Sequence, residues 1–577
     1  MQDRSANLNH IRANPDVSVL IIGGGVNGIG TFLDLALQGV DVYLAERSDF
    51  ASGATAASSH MAHGGIRYLE NGEFSLVREA VGERNRMLMN APHIVSPLPT
   101  VIPIFKVFSG LFNAPLKFLG VLDRPAERGL LVIKVGLMMY DAFTGTSGAR
   151  AVPRHKVYGS EKTHRLFPRL NPDVQYTAVY YDGHIQQPER YCVEMIRDAE
   201  AHNDQVRAVN YLTADSAEGD TVTLRDTVSG DTITVRPQVV INAAGPWIDF
   251  VNAHLGLDTD IIGGTKGSHL VLHHPELHDA TEGREFFFEN YDGRIVLCFP
   301  FGPERVLVGT TDIRIDDPDE AVCSDEEIDY ILGMLGKVFP DIEVTPEHVQ
   351  FTYCGVRPLP SQDANTTGQI SRDHQIDLLE GDRTGFGFPI LSLVGGKWTS
   401  YRAFSEETAD RVLDRLNGRR RTDTRSFAIG GGKNYPQSDA EKQRFVDRIA
   451  RETGISAERA GYLFRHYGTK AGDVAAYIAE GSDEPLRDNP QYSRREIMWV
   501  VANEKVVHLD DLLLRRTMLP MWGRMSRALL EDLAGITGEV LGWDESTQAE
   551  EVERTLRILR EKHRVVIEAQ DSELLLA

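Results

Sequence analysis

The residues of this chain whose types and spacing most clearly point to chemistry are three glycines in a strand-to-helix turn. The apolar run 17–22 leads into Gly23-x-Gly25-x-x-Gly28, and the residues that follow are typical of a helix. In such a turn the first glycine permits the bend, the second lets the backbone approach a pyrophosphate, and the third lets helix and strand pack closely. Glu46 ends the next apolar run, where an acid would hydrogen-bond a ribose hydroxyl. The pattern predicts a dinucleotide site.

Four basic residues stand among glycines and small residues in an otherwise acidic sequence: Arg67, Arg357, Arg372 and Lys397. A phosphomonoester carries nearly two negative charges, and the planar fork of arginine matches its oxygens. Any one of these arginines alone is more typical of a salt bridge, and Lys397 could instead contact the cofactor or a substrate hydroxyl. Tyr68 either donates a hydrogen bond to the substrate or fills a structural position. Together the cations favour a phosphorylated substrate.

The elements that must position these residues can be followed along the chain. Residues 176–240 alternate like strands, with a helix predicted over 188–203 and a hairpin over 221–236. A second glycine-ended strand covers 239–245, and the sheet pattern closes at 391–399. Two such strands more than 200 residues apart imply a cofactor domain that is interrupted by substrate-binding insertions.

These patterns predict the division of the chain. Residues 1–415 are expected to form one composite catalytic unit, and an Arg- and Gly-rich linker is expected at 416–435. Residues 436–577 read as helical, with Val552, Leu556 and Leu559 on one stripe. The cofactor-binding parts of the first unit are predicted at about 15–100, 176–260 and 350–415.

Composition excludes several classes of protein. The chain has 577 residues with 84 acidic against 61 basic side chains, a net charge of −23, which argues against nucleic acid as a partner. No apolar run is long enough to span a membrane, and the first residues lack a signal pattern, so we expect a cytoplasmic protein. The four cysteines stand far apart, so neither a metal site nor an iron–sulfur cluster is predicted. If this chain transfers electrons, another molecule must therefore carry them away.

Seven motifs carry a family resemblance, and they occur in this order: His63-Gly-Gly-Ile-Arg67-Tyr68-Leu-Glu, Asn242-Ala-Ala-Gly-Pro-Trp247, Lys266-Gly-Ser-His269, Gly309-Thr-Thr-Asp312, Gly355-Val-Arg357-Pro358, Ser371-Arg372-Asp373 and Gly395-Gly-Lys397. Together they resemble the FAD-dependent glycerol-3-phosphate dehydrogenases. The segment Asp510–Thr517 is similar to that family's C-terminal domain, so the likeness covers nearly the whole chain. The resemblance implies FAD, oxidation of sn-glycerol 3-phosphate to dihydroxyacetone phosphate, and electron delivery to quinone, to a partner or anchor subunit or, in the oxidases, to oxygen.

The resemblance also implies the fold class, α/β with α+β. It combines a Rossmann-type FAD-binding domain, like those of glutathione reductase and D-amino-acid oxidase, with an inserted antiparallel-sheet substrate domain and a C-terminal helical domain. NAD fits the glycine turn equally, but the second glycine-ended strand and the distant Gly-Gly-Lys segment favour FAD. The cofactor-binding residues are then expected to be Gly23, Gly25, Asn27, Gly28, Glu46, Ser58, Ser59, His63, Gly64, Ala244, Gly245, Trp247, Gly395, Gly396, Lys397, Trp398 and Thr399.

Oxidation of a secondary alcohol requires a group that removes the hydroxyl proton as hydride leaves the carbon. A neutral histidine is the natural base near pH 7. His269 is the first candidate and His63 the second. Arg357 could instead stabilise the developing alkoxide while the proton is lost to water, and Lys397 completes the predicted catalytic group.

The sequence departs from parts of the family. It lacks the cysteine-rich iron–sulfur module of the anaerobic catalytic subunits. The acidic segment 316–320 lacks the glycine and glutamate spacing of a calcium loop and reads as a solvated turn. Residues 59–62 read Ser-His-Met-Ala where many relatives have a basic or branched residue, which leaves the FAD contacts there open.

The segment 101–140 is basic within an acidic protein. It carries Lys106, Lys117, Arg124, Arg128 and Lys134 against Asp123 and Glu127, a net charge of +3. Such a stretch, rich in Phe and Leu, suits an anionic bilayer surface at the inner face of the cell membrane or an acidic partner. A pair of core helices with solvated ends explains it as well. We also expect a homo-oligomer.

Three functions remain open from the sequence. The first is a dehydrogenase that feeds quinone or an electron-transfer subunit. The second is an FAD oxidase of glycerol 3-phosphate, or of an amine or amino acid, although one carboxylate would need only one arginine. The third is a non-catalytic flavoprotein scaffold, which the joint presence of His269, Arg357 and Lys397 disfavours because a scaffold needs no substrate cations.

Overall fold

The computed structural model describes residues 4–107, 129–146, 151–290, 294–361 and 373–567. Within these ranges the chain forms two large sheets and a helical domain. No described helix combines the length and apolarity needed to cross a membrane.

The first sheet holds the predicted dinucleotide-binding strands. Its central strand pairs in parallel with a neighbour on each side, and its residues Val19, Leu20 and Ile21 are completely buried. A continuous apolar run is what a strand covered on both faces requires. The order of the described strands is Gln375–Leu379, Ile390–Val394, Thr232–Asn242, Asp16–Ile22, Val42–Glu46 and Arg207–Asn210, and Leu212–Glu218 and Thr221–Asp226 extend it.

Two elements predicted from local sequence patterns, a hairpin and a helix, are confirmed in this part of the chain. Strands Thr221–Asp226 and Thr232–Asn242 pair antiparallel, as the predicted hairpin requires. Helix Pro188–His202 begins with a proline in its first turn, where no backbone N–H is needed. The other helices of this part are Arg4–Ala13, Val26–Leu37, Phe74–Asn90, Ile248–His254, Gly381–Thr384 and Tyr401–Arg415.

The second sheet is mostly antiparallel and contains ten of the described strands: Met61–Ala62, Val95–Ile104, Lys156–Gly159, Tyr176–Ile185, Thr265–His273, Glu285–Glu289, Ile295–Pro300, Arg305–Gly309, Ile313–Arg314 and Val349–Arg357. Helices Leu130–Thr146, Ser160–Leu166, Pro275–Ala280 and Asp325–Val338 accompany it. Strands 61–62, 95–104, 176–185 and 349–357 fall wholly or partly within the ranges predicted to bind the cofactor. Each of these strands pairs with a strand of the second sheet. Strand patterns in a sequence do not specify which strands pair with each other, so the sequence could not assign them to this sheet.

Segment 101–140 divides between two described elements. It begins in strand Val95–Ile104 and ends in helix Leu130–Thr146. Its first residues are therefore in a strand, which differs from the alternative of two core helices. Residues 108–128, with five of the seven charged positions of the segment, lie outside the described residues.

The C-terminal domain is helical, as predicted. Its helices are Asp439–Thr453, Ala457–Tyr467, Ala471–Ala479, Arg494–Asn503, Leu509–Asp511, Arg527–Leu541 and Glu545–His563, with one small sheet of Pro485–Leu486 and Asn489–Ser493. The segment predicted as a linker, 416–435, contains the short 3-10 turn Gly430–Gly432, which is buried against the two parts that it joins.

Buried ion pairs join this domain to the first sheet. The carboxylate of Asp49 accepts hydrogen bonds from Arg516 at 2.8 and 2.9 Å, and Arg190 donates to Glu504 at 2.8 Å. All four side chains are almost completely buried. Since breaking a buried pair leaves an uncompensated charge, the domain is firmly docked rather than a loose appendage.

Candidate active site

The glycine turn has the close packing that its sequence predicts. Gly23 has a φ of +112°, and a Cβ there would lie 2.5 Å from the carbonyl oxygen of Ala243. A Cβ on Gly28 would lie 2.0 Å from the carbonyl oxygen of Gly23. Gly28 therefore serves helix–strand packing, and the turn tolerates no side chain at either position.

Glu46 stands beside this turn. Its two carboxylate oxygens accept hydrogen bonds from the backbone N–H groups of Gly24, at 2.6 Å, and Ser48, at 2.8 Å. Desolvation raises the pKa of Glu46 in spite of these bonds. The backbone fixes the carboxylate at the end of its strand, where the sequence predicted a ribose contact.

A cavity of about 580 Å³ opens from the turn. This volume lies within the range of cofactor sites. The predicted cofactor residues in its wall are Gly23, Gly25, Asn27, Glu46, Ala244, Gly245, Trp247, Gly395, Gly396, Lys397 and Trp398. The glycine cradle, the carboxylate and the volume of the cavity fit an FAD molecule. The wall formed by the described residues does not include the other predicted ones, which are Gly28, Ser58, Ser59, His63, Gly64 and Thr399.

The Gly-Gly-Lys segment closes onto the glycine turn. Gly395 and Gly396 have φ values of +73° and +88°, a region that favours glycine. A Cβ on Gly396 would lie 2.9 Å from Nδ2 of Asn27, and that nitrogen donates to the carbonyl of Gly395 at 3.4 Å. Trp398 donates from its indole N–H to the carbonyl of Thr55 at 2.9 Å. The first and last parts of the composite unit therefore meet at the cavity.

Sequence reasoning missed the part of the cavity wall that comes from the C-terminal domain. Asp510, Arg515, Arg554, Lys562 and His563 line it. In this region the sequence offered only the family resemblance at 510–517, and that resemblance implied no contact with the cofactor. The helical domain therefore contributes to the wall of this cavity.

A polar clasp crosses one side of the same cavity. Asp319 pairs with the guanidinium of Arg47 through both carboxylate oxygens and accepts from the indole N–H of Trp247 at 3.0 Å. The Arg47 guanidinium lies 4.4 Å from the Trp247 ring centroid. Lys562 donates to the backbone carbonyl of Asp319 at 2.8 Å. The turn is mostly exposed, as predicted, and it also connects three parts of the cavity wall.

His269 lies in strand Thr265–His273 of the second sheet, and it contacts Ser59, which precedes strand Met61–Ala62. Its Nε2 is 2.8 Å from Ser59 Oγ, and its ring stacks on Tyr353 at 4.9 Å between centroids. The side chain is buried, and burial, with Arg357 and His60 nearby, lowers its pKa to about 3. The imidazole is therefore neutral at pH 7, and Ser59 is its hydrogen-bonding neighbour.

Arg357 is held in a fixed orientation close to His269. It donates to Asp312 Oδ1 at 3.1 Å, to Thr310 Oγ1 at 3.2 Å and to the carbonyl of Thr311 at 3.1 Å. Two of the predicted motifs, Gly309–Asp312 and Gly355–Pro358, therefore form one unit around the guanidinium.

The remaining predicted residues form a second group. The ammonium of Lys397 lies 3.9 Å from the Tyr68 ring centroid, and the backbone N–H of His63 donates to Thr399 Oγ1 at 3.0 Å. Arg67 precedes Tyr68 on the 3-10 helix Ile66–Asn71. The segment 58–64 connects this group to His269, while Arg372 lies outside the described residues. Among the described residues no cluster of metal-binding side chains is found.

Comparison with known proteins defines the class first. Residues 18–401 match the FAD dependent oxidoreductase family, and residues 422–548 match the C-terminal domain of alpha-glycerophosphate oxidase. The predicted fold class and FAD as cofactor are thereby confirmed, and the fold is that of a flavin-dependent oxidoreductase.

Individual relatives narrow the class. The chain is 32% identical to the glycerol-3-phosphate dehydrogenase of Synechocystis sp. over 88% of this chain and 90% of that protein. It is 29% identical to the aerobic glycerol-3-phosphate dehydrogenase of Escherichia coli K12 over 89% of this chain and 97% of that protein. The FAD complex of the glycerol-3-phosphate dehydrogenase from Bacillus halodurans has the same fold, with a TM-score of 0.72, 22% identity and coverage of 97% and 98%. The chain belongs to the FAD-dependent glycerol-3-phosphate dehydrogenase family.

Proposed function

We propose that this protein oxidises sn-glycerol 3-phosphate to dihydroxyacetone phosphate and passes the electrons to quinone or to a partner subunit. Bound FAD supplies the hydride acceptor, at N5 of its flavin ring. Every other task falls to side chains of this chain: binding the phosphate, orienting the secondary alcohol and accepting its proton.

The position of Lys397 is the main observation that supports this function. It lines the cofactor cavity directly after Gly395 and Gly396, and its ammonium faces the Tyr68 ring. A cation at this junction lies between the cavity and the segment that contains Arg67 and Tyr68. Such a position suits contact with the substrate, since the alcohol carbon must reach the flavin while the phosphate is held by cations.

Arg357 is the second cation proposed to bind the phosphate. Its contacts with Asp312, Thr310 and Thr311 fix the plane of the guanidinium. Preorganisation of this kind lowers the entropy lost when a bidentate pair forms. Arg67 and Arg372 are proposed to complete the anion site, as the motifs that contain them imply.

His269 is the proposed acceptor of the hydroxyl proton, with Ser59 as the connecting group. Ser59 Oγ can pass a proton to Nε2 of the neutral imidazole, which lies 2.8 Å away. The positive charge of Arg357 contributes to the low pKa of His269. A phosphate dianion on Arg357 would offset that charge, so substrate binding would raise the basicity of His269 just when a base is needed.

Anaerobic titration of the flavin-loaded protein with sn-glycerol 3-phosphate tests the proposal. We expect the oxidised flavin absorbance to bleach, while glycerol and lactate, which lack the phosphate, leave it unchanged. A protein that dithionite reduces and sn-glycerol 3-phosphate does not would refute the assignment. Peroxide formed stoichiometrically in air would identify an oxidase instead of a quinone-linked dehydrogenase.

Docking at an anionic bilayer is the proposed route to a quinone acceptor. Helix Leu130–Thr146 exposes Leu131, Val135 and Met138 by 44%, 52% and 58% along one stripe, and Lys134 is exposed beside them. An exposed apolar stripe flanked by lysine is the pattern of an interfacial helix. This face supports a peripheral position at the inner surface of the cell membrane.

Vesicle sedimentation tests this docking. Replacing Val135 and Met138 by glutamate should abolish binding to vesicles of anionic phospholipid, and Lys106→Glu with Lys134→Glu should weaken it. Val228, which is 51% exposed elsewhere, provides the control substitution Val228→Glu. Equal binding of all variants would contradict the proposal.

A further inference from the structure

The backbone N–H of Gly64 is held by a buried polar cluster. It donates to the hydroxyl of Tyr140 at 2.8 Å and to Oδ1 of Asp182 at 3.1 Å. Tyr140 also donates its own proton to Asp182. Tyr140 comes from helix Leu130–Thr146 and Asp182 from strand Tyr176–Ile185, so two distant elements converge on one backbone group.

Arg84 completes this cluster from helix Phe74–Asn90. Its guanidinium donates to Asp182 Oδ1 at 3.2 Å, to the Tyr140 hydroxyl at 3.2 Å and to the carbonyl of Tyr181 at 2.8 Å. Arg84, Tyr140 and Asp182 are each at most 2% exposed. A buried network in which the charged groups are paired in this way holds its members in fixed positions.

The geometry at Gly64 leaves no room for adjustment. A Cβ there would lie 2.2 Å from the Tyr140 hydroxyl oxygen. Gly65 follows with a φ of +70°, which turns the chain into the 3-10 helix Ile66–Asn71. Arg67 and Tyr68 lie in the first turn of that helix, so their positions depend on where Gly64 is held.

We propose that Tyr140, Asp182 and Arg84 are positioning residues that fix the Gly64 backbone and thereby the substrate-binding side chains of Arg67 and Tyr68. The substrate part of this inference rests on the proposed function. The three side chains act through the backbone and do not line the described cofactor cavity.

Tyr140→Phe tests the inference with a minimal change, since it removes only the hydroxyl. Tyr180→Phe is the matched control: Tyr180 packs edge to face on Tyr140, at 5.7 Å, in the same core. We expect Tyr140→Phe to raise the KM for sn-glycerol 3-phosphate roughly three- to tenfold, the scale of one lost hydrogen bond, with kcat changed less than about twofold. FAD content should equal that of the control.

Amide hydrogen exchange provides a readout that requires no substrate. Peptides covering 64–72 should exchange faster in Tyr140→Phe and in Gly64→Ala than in the wild type and in Tyr180→Phe. Unchanged exchange there, or equal effects in Tyr180→Phe, would overturn the inference. If sn-glycerol 3-phosphate fails to reduce even the wild-type flavin, the proposed function fails, while faster exchange confined to 64–72 would still support the anchoring of Gly64.

Discussion

Replacing His60 by asparagine should reduce the stability that the protein loses between about pH 8 and about pH 5. The free energy of unfolding should fall by about 2 kcal/mol less in the variant than in the wild type. His60 is completely buried, and its Nδ1 faces the carbonyl oxygen of Ile185 at 3.1 Å. Burial lowers the pKa of His60 from 6.5 to about 4. The folded state therefore resists protonation that the unfolded chain accepts below about pH 6.5.

The two pKa values of His60, folded and unfolded, determine how its contribution to stability changes with pH. A lowered histidine pKa contributes stability that is present above the unfolded value and is lost as the pH falls below it. Between about pH 6.5 and 5 the folded imidazole stays neutral, so the loss is about 1.5 pH units at about 1.4 kcal/mol per unit. Asparagine does not titrate in this range, and it tolerates the φ of +53° that His60 adopts.

Urea unfolding at about pH 8 and about pH 5, followed by tryptophan fluorescence, measures the effect. Asparagine fills less space beside the Phe301 ring, which lies 5.1 Å from His60, so the variant is expected to be less stable at the higher pH. The decisive quantity is the stability lost between the two pH values, which should be about 2 kcal/mol smaller in the variant. His273→Gln replaces an exposed histidine and should not reproduce this reduction. Equal losses in His60→Asn and the wild type would refute the reasoning.

Three further substitutions test the site. His269→Ala should lower kcat by about 10²–10⁴-fold, the usual scale for a lost acid–base group, in stopped-flow measurements of flavin reduction. Arg357→Met should lower kcat/KM by roughly 10²-fold, mostly through KM, because a charge-assisted pair with the phosphate is removed. Asp319→Asn should speed FAD release about two- to fivefold at low salt, followed by the rise in flavin fluorescence, since the bidentate pair with Arg47 is weakened.

Each of these results has a contrary outcome. Full activity of His269→Ala would remove that residue from the mechanism. An unchanged KM in Arg357→Met would place the phosphate elsewhere. Release from Asp319→Asn that matches the wild type at low salt would show that the clasp does not retain the cofactor, and Asp316→Asn in the same acidic segment is its control.

The features that sequence predicts well are local. The glycine turn, the acid at Glu46 and the 221–236 hairpin are encoded within short windows, where backbone geometry and side-chain period decide the structure. Gly395 and Gly396 were predicted beside the cofactor, and both line the cavity.

What the sequence could not provide is tertiary pairing. Ser59 and His269 are 210 residues apart, and Asp49 and Arg516 are 467 apart. Arg84, Tyr140 and Asp182 occur in ordinary helix and strand patterns. No short stretch of the sequence therefore indicates that these three side chains meet at Gly64. Such contacts depend on which elements pack together, and periodicity does not encode that choice.

The wall of the cavity is built from parts of the chain that are synthesised at different times. Gly23 leaves the ribosome more than 500 residues before Arg554, Lys562 and His563. A nascent chain that has completed the strands of its first sheet therefore presents an open-sided groove until helix Glu545–His563 has been synthesised. The cavity gains this wall only after that helix has folded against the rest of the protein, so a polypeptide stopped before the helix would leave the cavity open on one side.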